Sequence, residues 1–173
     1  MEKDNSGMRS HPGQYSFMQL TSLVILRLLI GWHFLYEGFA KVFNPSWSAA
    51  PFLLDSKGIF SKFFLAMAHN PHILSLVDIS NELGLIAIGL GLMTGTLTRT
   101  ASAFGILLII LYYCATPPFI GYTYLVPMEG SYMIVNKNII EAWALVVLII
   151  FPTGHIIGFD RLLFPNKKTS IKS

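Results

Sequence analysis

Four long apolar runs, each closed by a proline, a glycine or a short polar break, leave this chain one kind of architecture. The first, over residues 15–43, ends at Asn44-Pro45, because a proline removes a backbone donor and pushes the residue before it out of helical geometry. A second run covers 73–97, after Pro71. A third, over 101–116, stops at Pro117-Pro118, and a fourth starts near Lys137 and reaches 163, with a kink expected at Pro152 and Gly154. At 1.5 Å per residue, the longer runs exceed the roughly 30 Å of hydrocarbon in a bilayer. The pattern predicts an all-α, integral membrane four-helix bundle over residues 15–164, flanked by a polar tail at 1–14 and a basic tail at 165–173. Between the first two runs, IFSKFFLAMA is too short to span and aromatic enough to lie at the membrane surface, which predicts an interfacial helix in the first external loop.

Composition excludes the main alternatives. Of 173 residues, 53% are hydrophobic and 12% charged, and a soluble domain could not cover its core with twenty-one charged side chains. The 12 Lys and Arg against 9 Asp and Glu form no basic cluster interleaved with aromatics, so nucleic acid is not an expected partner. One cysteine, Cys114, allows neither an internal disulfide nor a thiol pair, and any redox role must use something else. The histidines do not pair at one depth as haem ligands would, and Pro71 separates His69 from His72 as metal ligands. Four spans put both termini on one side. That side carries Lys3, Arg9, Arg99, Arg161, Lys167, Lys168 and Lys172, against Lys41, Lys57, Lys62 and Lys137 on the other, which predicts a plasma (inner) membrane protein with both termini cytoplasmic.

Ionisable residues inside the spans are the functional signal, since a charge at the bilayer centre costs at least ~2.5 kcal/mol and such residues usually pair, face the bundle interior and mark function. On the first helix Arg27, His33, Glu37 and Lys41 fall at about 0°, 240°, 280° and 320°, one stripe. On the second, Asp78, Asn81 and Glu82 form another. With Asn138 and Glu141 of the fourth helix, these nine residues predict a polar pocket in the external half, with Glu37 and Glu82 facing inward. Two plainer readings stand beside it: Glu37 with Lys41 and Lys137 with Glu141 are i,i+4 pairs that hold helix ends, and Arg27 snorkels to the headgroups. Trp47, Phe63, Phe64, Tyr122, Tyr124 and Tyr132 of the two external loops suit contact with a protein partner, or seating at the membrane surface.

The segment ILRLLIGWHFLYEGFAKVFNP resembles the opening helix of the DoxX/DoxD-like family of small four-helix membrane proteins, with its arginine, Gly31, Gly38 and a closing lysine. GLGLMTGTLTRTAS is similar to the family's turn between helices two and three, and NKNIIEAWALVVLIIFPTGHIIGFDRLL to its last helix, ending in Gly154, Gly158 and Asp160. The family includes subunits of a thiosulfate:quinone oxidoreductase and other members that look like membrane partners of redox enzymes. The resemblance therefore implies a small subunit of a quinone-linked redox assembly, with Arg27, Glu37, Lys41 and Asn138 on the family's polar positions, a quinone as the cofactor to expect, none bound covalently, and membrane lipid and one or more proteins as partners. No set of residues forms a catalytic constellation by itself, so whether the chain is an enzyme stays open. The competing functions are a non-enzymatic anchor or accessory subunit that holds a partner protein, and a carrier of a small anion.

Overall fold

The computed structural model describes residues 15–125 and 133–163. These are all-helical: 70% lies in helix and none in strand. The tails at 1–14 and beyond 163 lie outside the described residues.

The first helix, α1 (Phe17–Val42), starts where sequence chemistry dictates. Ser16 accepts from the Gln19 backbone N–H while the Gln19 side chain accepts from the Ser16 N–H, a reciprocal pair that satisfies two otherwise orphaned donors. Two short helices follow, α2 (Ala50–Leu54) and α3 (Ser61–His69). The second of these takes most of the segment expected to form an interfacial helix; α2, started by Pro51 in its first turn, has no counterpart in the sequence reading. Helix α4 (Pro71–Thr94) is opened by Asn70, whose side-chain oxygen accepts from the N–H groups of His72 and Ile73, and by Pro71 in its first turn. It ends at Gly95 in a left-handed conformation, with φ 71°. Leu97 is left-handed as well, with φ 50°, so the link to α5 (Thr98–Ala115) is a tight turn.

Helix α6 (Lys137–Ile150) is shorter than its apolar run suggests. The expected continuation to 163 is corrected: Pro152 interrupts it, residues 151–159 leave helical geometry, and only the single turn α7 (Asp160–Leu163) is helical again. Among the described residues three helices, α1, α4 and α5, are long and apolar enough to cross a membrane. Their outer faces carry large apolar side chains such as Leu29, Leu76 and Phe104, each more than half exposed, which suits contact with lipid.

Glycine sets the spacing of α1 and α4. A Cβ at Gly89 would sit 2.6 Å from the Leu35 nitrogen and 2.8 Å from the Gly31 carbonyl oxygen, and one at Gly38 would meet the Ile86 nitrogen at 2.9 Å. Apolar helices in lipid gain little from burial and associate through such close packing. Around this pair Ile30, Phe34, Leu85, Ile88, Leu92, Ile109, Leu145 and Leu148 form one core. A second cluster, Ala49, Leu53, Phe64 and Ala115, fixes α2 and α3 over the loop end of the bundle, where Asp78 accepts from the Ser48 hydroxyl and the Ala49 N–H.

Candidate functional site

Of the nine polar residues expected in one pocket, six occupy three separate places. Arg27 stands apart from the rest. It is 2% exposed, and its guanidinium donates to Thr153 Oγ1 at 3.0 Å and to the Ile157 carbonyl at 2.8 Å, at the end of the bundle where α4 turns into α5. Asp160 is 4% exposed at the same end. Its carboxylate accepts from the Leu97 N–H at 2.5 Å, the Thr98 N–H at 3.2 Å and the Thr98 hydroxyl at 3.1 Å, and so satisfies the first turn of α5 from outside that helix. Arg27 therefore belongs to a structural knot. Gly95, Gly154 and Gly158 let the α4–α5 turn and the segment after α6 approach closely; a Cβ on Gly95 would lie 2.8 Å from the Gly158 Cα.

The second place is the flank of α1 facing α6. His33 Nδ1 lies 2.9 Å from Glu141 Oε1, and Lys41 Nζ lies 3.0 Å from Glu37 Oε2. His33 and Glu37 are about half exposed, at 47% and 48%, whereas Glu141 and Lys41 are mostly covered. The stripe drawn from the sequence explains the split. The buried face of α1 carries Arg27, Ile30, Gly31, Phe34, Leu35 and Gly38, centred near 0–40° from Arg27, and His33 to Lys41 lie on its edge at about 240–320°. Glu37 consequently does not face the bundle interior. Lys41 also sits over the Trp47 ring, 5.5 Å from its centroid.

The third place lies between α4 and α5 in the same half. Asn81, 8% exposed, donates from Nδ2 to the Tyr112 hydroxyl at 2.6 Å, and its Oδ1 is buried without a hydrogen-bond partner among the described residues. The Phe52 ring of α2 packs edge-on against Tyr112, with centroids 5.8 Å apart, and Glu37 is within Coulombic reach of the phenol. Tyr112 escaped the sequence reading. The available signal was two adjacent phenols, Tyr112 and Tyr113, closing the apolar run of α5, and only a register between α4 and α5 could have shown which of them meets the one asparagine of α4. Glu82 and Asn138 are half-buried and make no hydrogen bond or ion pair among the described residues, and Asp78 is consumed by Ser48 and Ala49.

Of the aromatic loop residues, Phe63 and Tyr122 are exposed, while Phe64 is 5% exposed and belongs to the second core. Tyr124 turns inward to donate to the Pro117 carbonyl at 2.7 Å, under a cation–π contact from Lys57 at 4.8 Å, and Lys57 also reaches the Thr123 carbonyl. Desolvation, with Tyr122 and Asp55 nearby, pushes the Tyr124 phenol up to about 12. Tyr132 lies outside the described residues. Among them, no three His, Cys, Asp or Glu side chains are grouped closely enough to hold a metal ion.

The family model described as DoxX matches residues 22–116, from the first turns of α1 to the end of α5. The chain belongs to the DoxX family. No curated protein and no solved structure matches it. The matched stretch contains Arg27 and the Asn81–Tyr112 pair, whereas Thr153 and Asp160, which close the knot around Arg27, lie beyond it. This DoxX family protein is thus a multi-pass membrane protein whose spanning helices contact lipid.

Proposed function

We propose that this DoxX family protein is a small membrane subunit of a quinone-linked redox assembly. In this reading α6 and the segment after it make a fourth crossing, both termini are cytoplasmic in the plasma membrane, and the loops bearing α2 and α3 are external. The observation that carries it is the Asn81–Tyr112 pair, buried in the external half with one amide oxygen unpartnered. Buried polar groups are nearly always satisfied, so an orphan here invites a ligand or a water. A quinone presents carbonyl oxygens that accept hydrogen bonds, and its reduced quinol presents hydroxyls, one of which could donate to the orphaned amide oxygen. Asn81 keeps a second amide hydrogen, and Tyr112, which accepts from Asn81, keeps its own O–H to donate. His33, Glu141 and Glu37 supply protonatable groups in the same half, as a reaction that takes up or releases protons with electrons requires.

The test is titration of a short-tailed quinone into the purified chain in mild detergent, read by quenching of tryptophan fluorescence. Saturable binding that weakens about tenfold in Asn81→Leu and in Tyr112→Phe supports the reading, at about 1.4 kcal/mol for a lost hydrogen bond in a buried site. Absence of saturable binding, both by the chain and by the complex it purifies with, refutes it. Redox turnover by the chain alone would instead make Asn81, Tyr112 and Glu37 catalytic candidates.

A second reading, an anchor that holds a partner protein without redox chemistry, is favoured by the apolar surface of the cap, where Ile59 is 94%, Phe60 53% and Phe63 58% exposed. A partner released by Phe63→Ser, from a complex that contains no quinone, would decide for it.

A further inference from the structure

Helix α2 is fastened at both ends to the two helices that carry the buried Asn81–Tyr112 pair. At its start, Asp78 of α4 accepts from the Ser48 hydroxyl at 3.0 Å and from the Ala49 N–H at 2.8 Å. Just past its end, the carbonyl of Ala115, the last residue of α5, accepts from the Ser56 hydroxyl at 2.8 Å and from the Lys57 N–H at 3.2 Å. Asp78 precedes Asn81 by three positions and Ala115 follows Tyr112 by three. Each fastening therefore lies about 4.5 Å of helix nearer the loops than its member of the pair, and on the same helix face. A bridge anchored on those two points crosses over the pair. Phe52, midway along α2, turns its ring edge-on against Tyr112 at 5.8 Å.

A second set of bonds holds the far end of this bridge. Asp55 accepts from the Leu125 N–H, Lys57 donates to the Thr123 carbonyl and sits over the Tyr124 ring, and the two charged groups are 3.7 Å apart. Five residues do not hold a helix alone in water, so these contacts are what keep Phe52 in place. We propose that Phe52 determines which ligands the Asn81–Tyr112 site accepts: its ring closes the site on the side of the loops, admitting a ligand dissolved in the membrane and turning away a charged, water-soluble one of the same ring chemistry. A charged group passing Phe52 would have to shed its water among Ala49, Leu53 and Ala115, whereas an uncharged quinone in the bilayer has none to shed. The same ring edge is available to pack against a bound quinone. The inference rests on the quinone reading and gives that site its selectivity.

The experiment titrates the full-length protein in mild detergent with a short-tailed quinone and with a sulfonated quinone of the same ring, and reads the preference between them by tryptophan quenching. The wild type should prefer the uncharged quinone, and Phe52→Ala should narrow that preference about tenfold. Lys57→Met loosens the far fastening without touching the site and should narrow it in the same direction, by less; it also keeps the test open if Phe52→Ala does not fold. Equal affinity of the wild type for both quinones, or a preference unchanged in the variants, would overturn the proposal. Hydroxyl-radical labelling of Tyr112, read by mass spectrometry in the absence of quinone, separates this proposal from the quinone reading. Tyr112 should be labelled less than the exposed Tyr122 in the wild type and approach it in Phe52→Ala. Labelling of Tyr112 that does not change in Phe52→Ala overturns the closure even where a quinone binds. Labelling that rises while neither quinone binds upholds Phe52 as the closure and refutes the quinone reading alone.

Discussion

Two glycines on one helix should respond in opposite directions to the same methyl group. Gly84 opens onto free space, whereas a Cβ at Gly89 would lie 2.6 Å from the Leu35 nitrogen and 2.7 Å from its Cβ. Replacing a helical glycine by alanine stabilises the helix by up to about 1 kcal/mol, through reduced backbone freedom in the unfolded chain. Gly84→Ala should realise that gain. At Gly89 the same gain is opposed by overpacking against backbone, which no rotamer can relieve: an ordinary contact distance of about 3.4 Å requires α1 and α4 to part by roughly 0.8 Å, and a gap of that size forfeits a quarter to a half of each dispersion contact along the seam. Overpacking of this kind costs about 1–3 kcal/mol, and the seam is one that depends on packing rather than on burial from water. With the full glycine-to-alanine gain set against that cost, the net expectation is a loss of up to about 2 kcal/mol for Gly89→Ala and a gain of up to about 1 kcal/mol for Gly84→Ala. Denaturation in mixed micelles, followed by far-ultraviolet circular dichroism, measures both. If Gly89→Ala proved as stable as Gly84→Ala, close approach through glycine would not be what holds these helices together.

Asp160→Asn should destabilise the protein by about 2–4 kcal/mol, because a buried charged acceptor of three hydrogen bonds is weakened and Arg27 loses the carboxylate near it; thermal unfolding in detergent measures this, and Arg27→Met in the same background should recover part of the loss. Tyr124 should ionise late: with its folded pKa at about 12 and that of an unfolded tyrosine near 10, the folded state holds the proton longer, so stability is unaffected below pH 10 and declines between about pH 10 and 12. Tyrosinate absorbance should show this step, and Tyr124→Phe should remove it. A cysteine at Ser170, in a Cys114→Ala background, should resist a membrane-impermeant thiol reagent in intact cells; ready labelling would reverse the proposed orientation.

The spans were legible because their signals are local. Asn44-Pro45 closes α1, Asn70-Pro71 opens α4 and Gly95 ends it, each by backbone chemistry within a few residues. The interruption after α6 was half legible: Pro152 marked it, but nothing nearby shows that the following segment packs on Gly95 rather than resuming a helix. The site was less legible still. A helical wheel gives direction without register, so it grouped Arg27 with His33 and Glu37 although Arg27 bonds to Thr153, 126 positions away. It also found Asn81 and missed Tyr112, because the contact depends on how α4 and α5 align. Phe64, indistinguishable from Phe63 in sequence, turns into the core, since neighbours on a helix point about 100° apart.

The three hydrogen bonds that Asp160 accepts from the start of α5 also set a schedule. Sixty-three positions separate Asp160 from Leu97, and at roughly 5–20 residues per second a ribosome takes roughly 3–13 s to make them. For that interval the α4–α5 hairpin exists with the opening amides of α5 unclaimed by any side chain of its own, and Arg27 waits inside the bundle without Thr153 or Ile157. Insertion of the first three long helices can therefore precede their consolidation. A chain that stalls before residue 160 would be threaded yet unlatched, and such a species is what a membrane quality-control protease could distinguish from the finished protein.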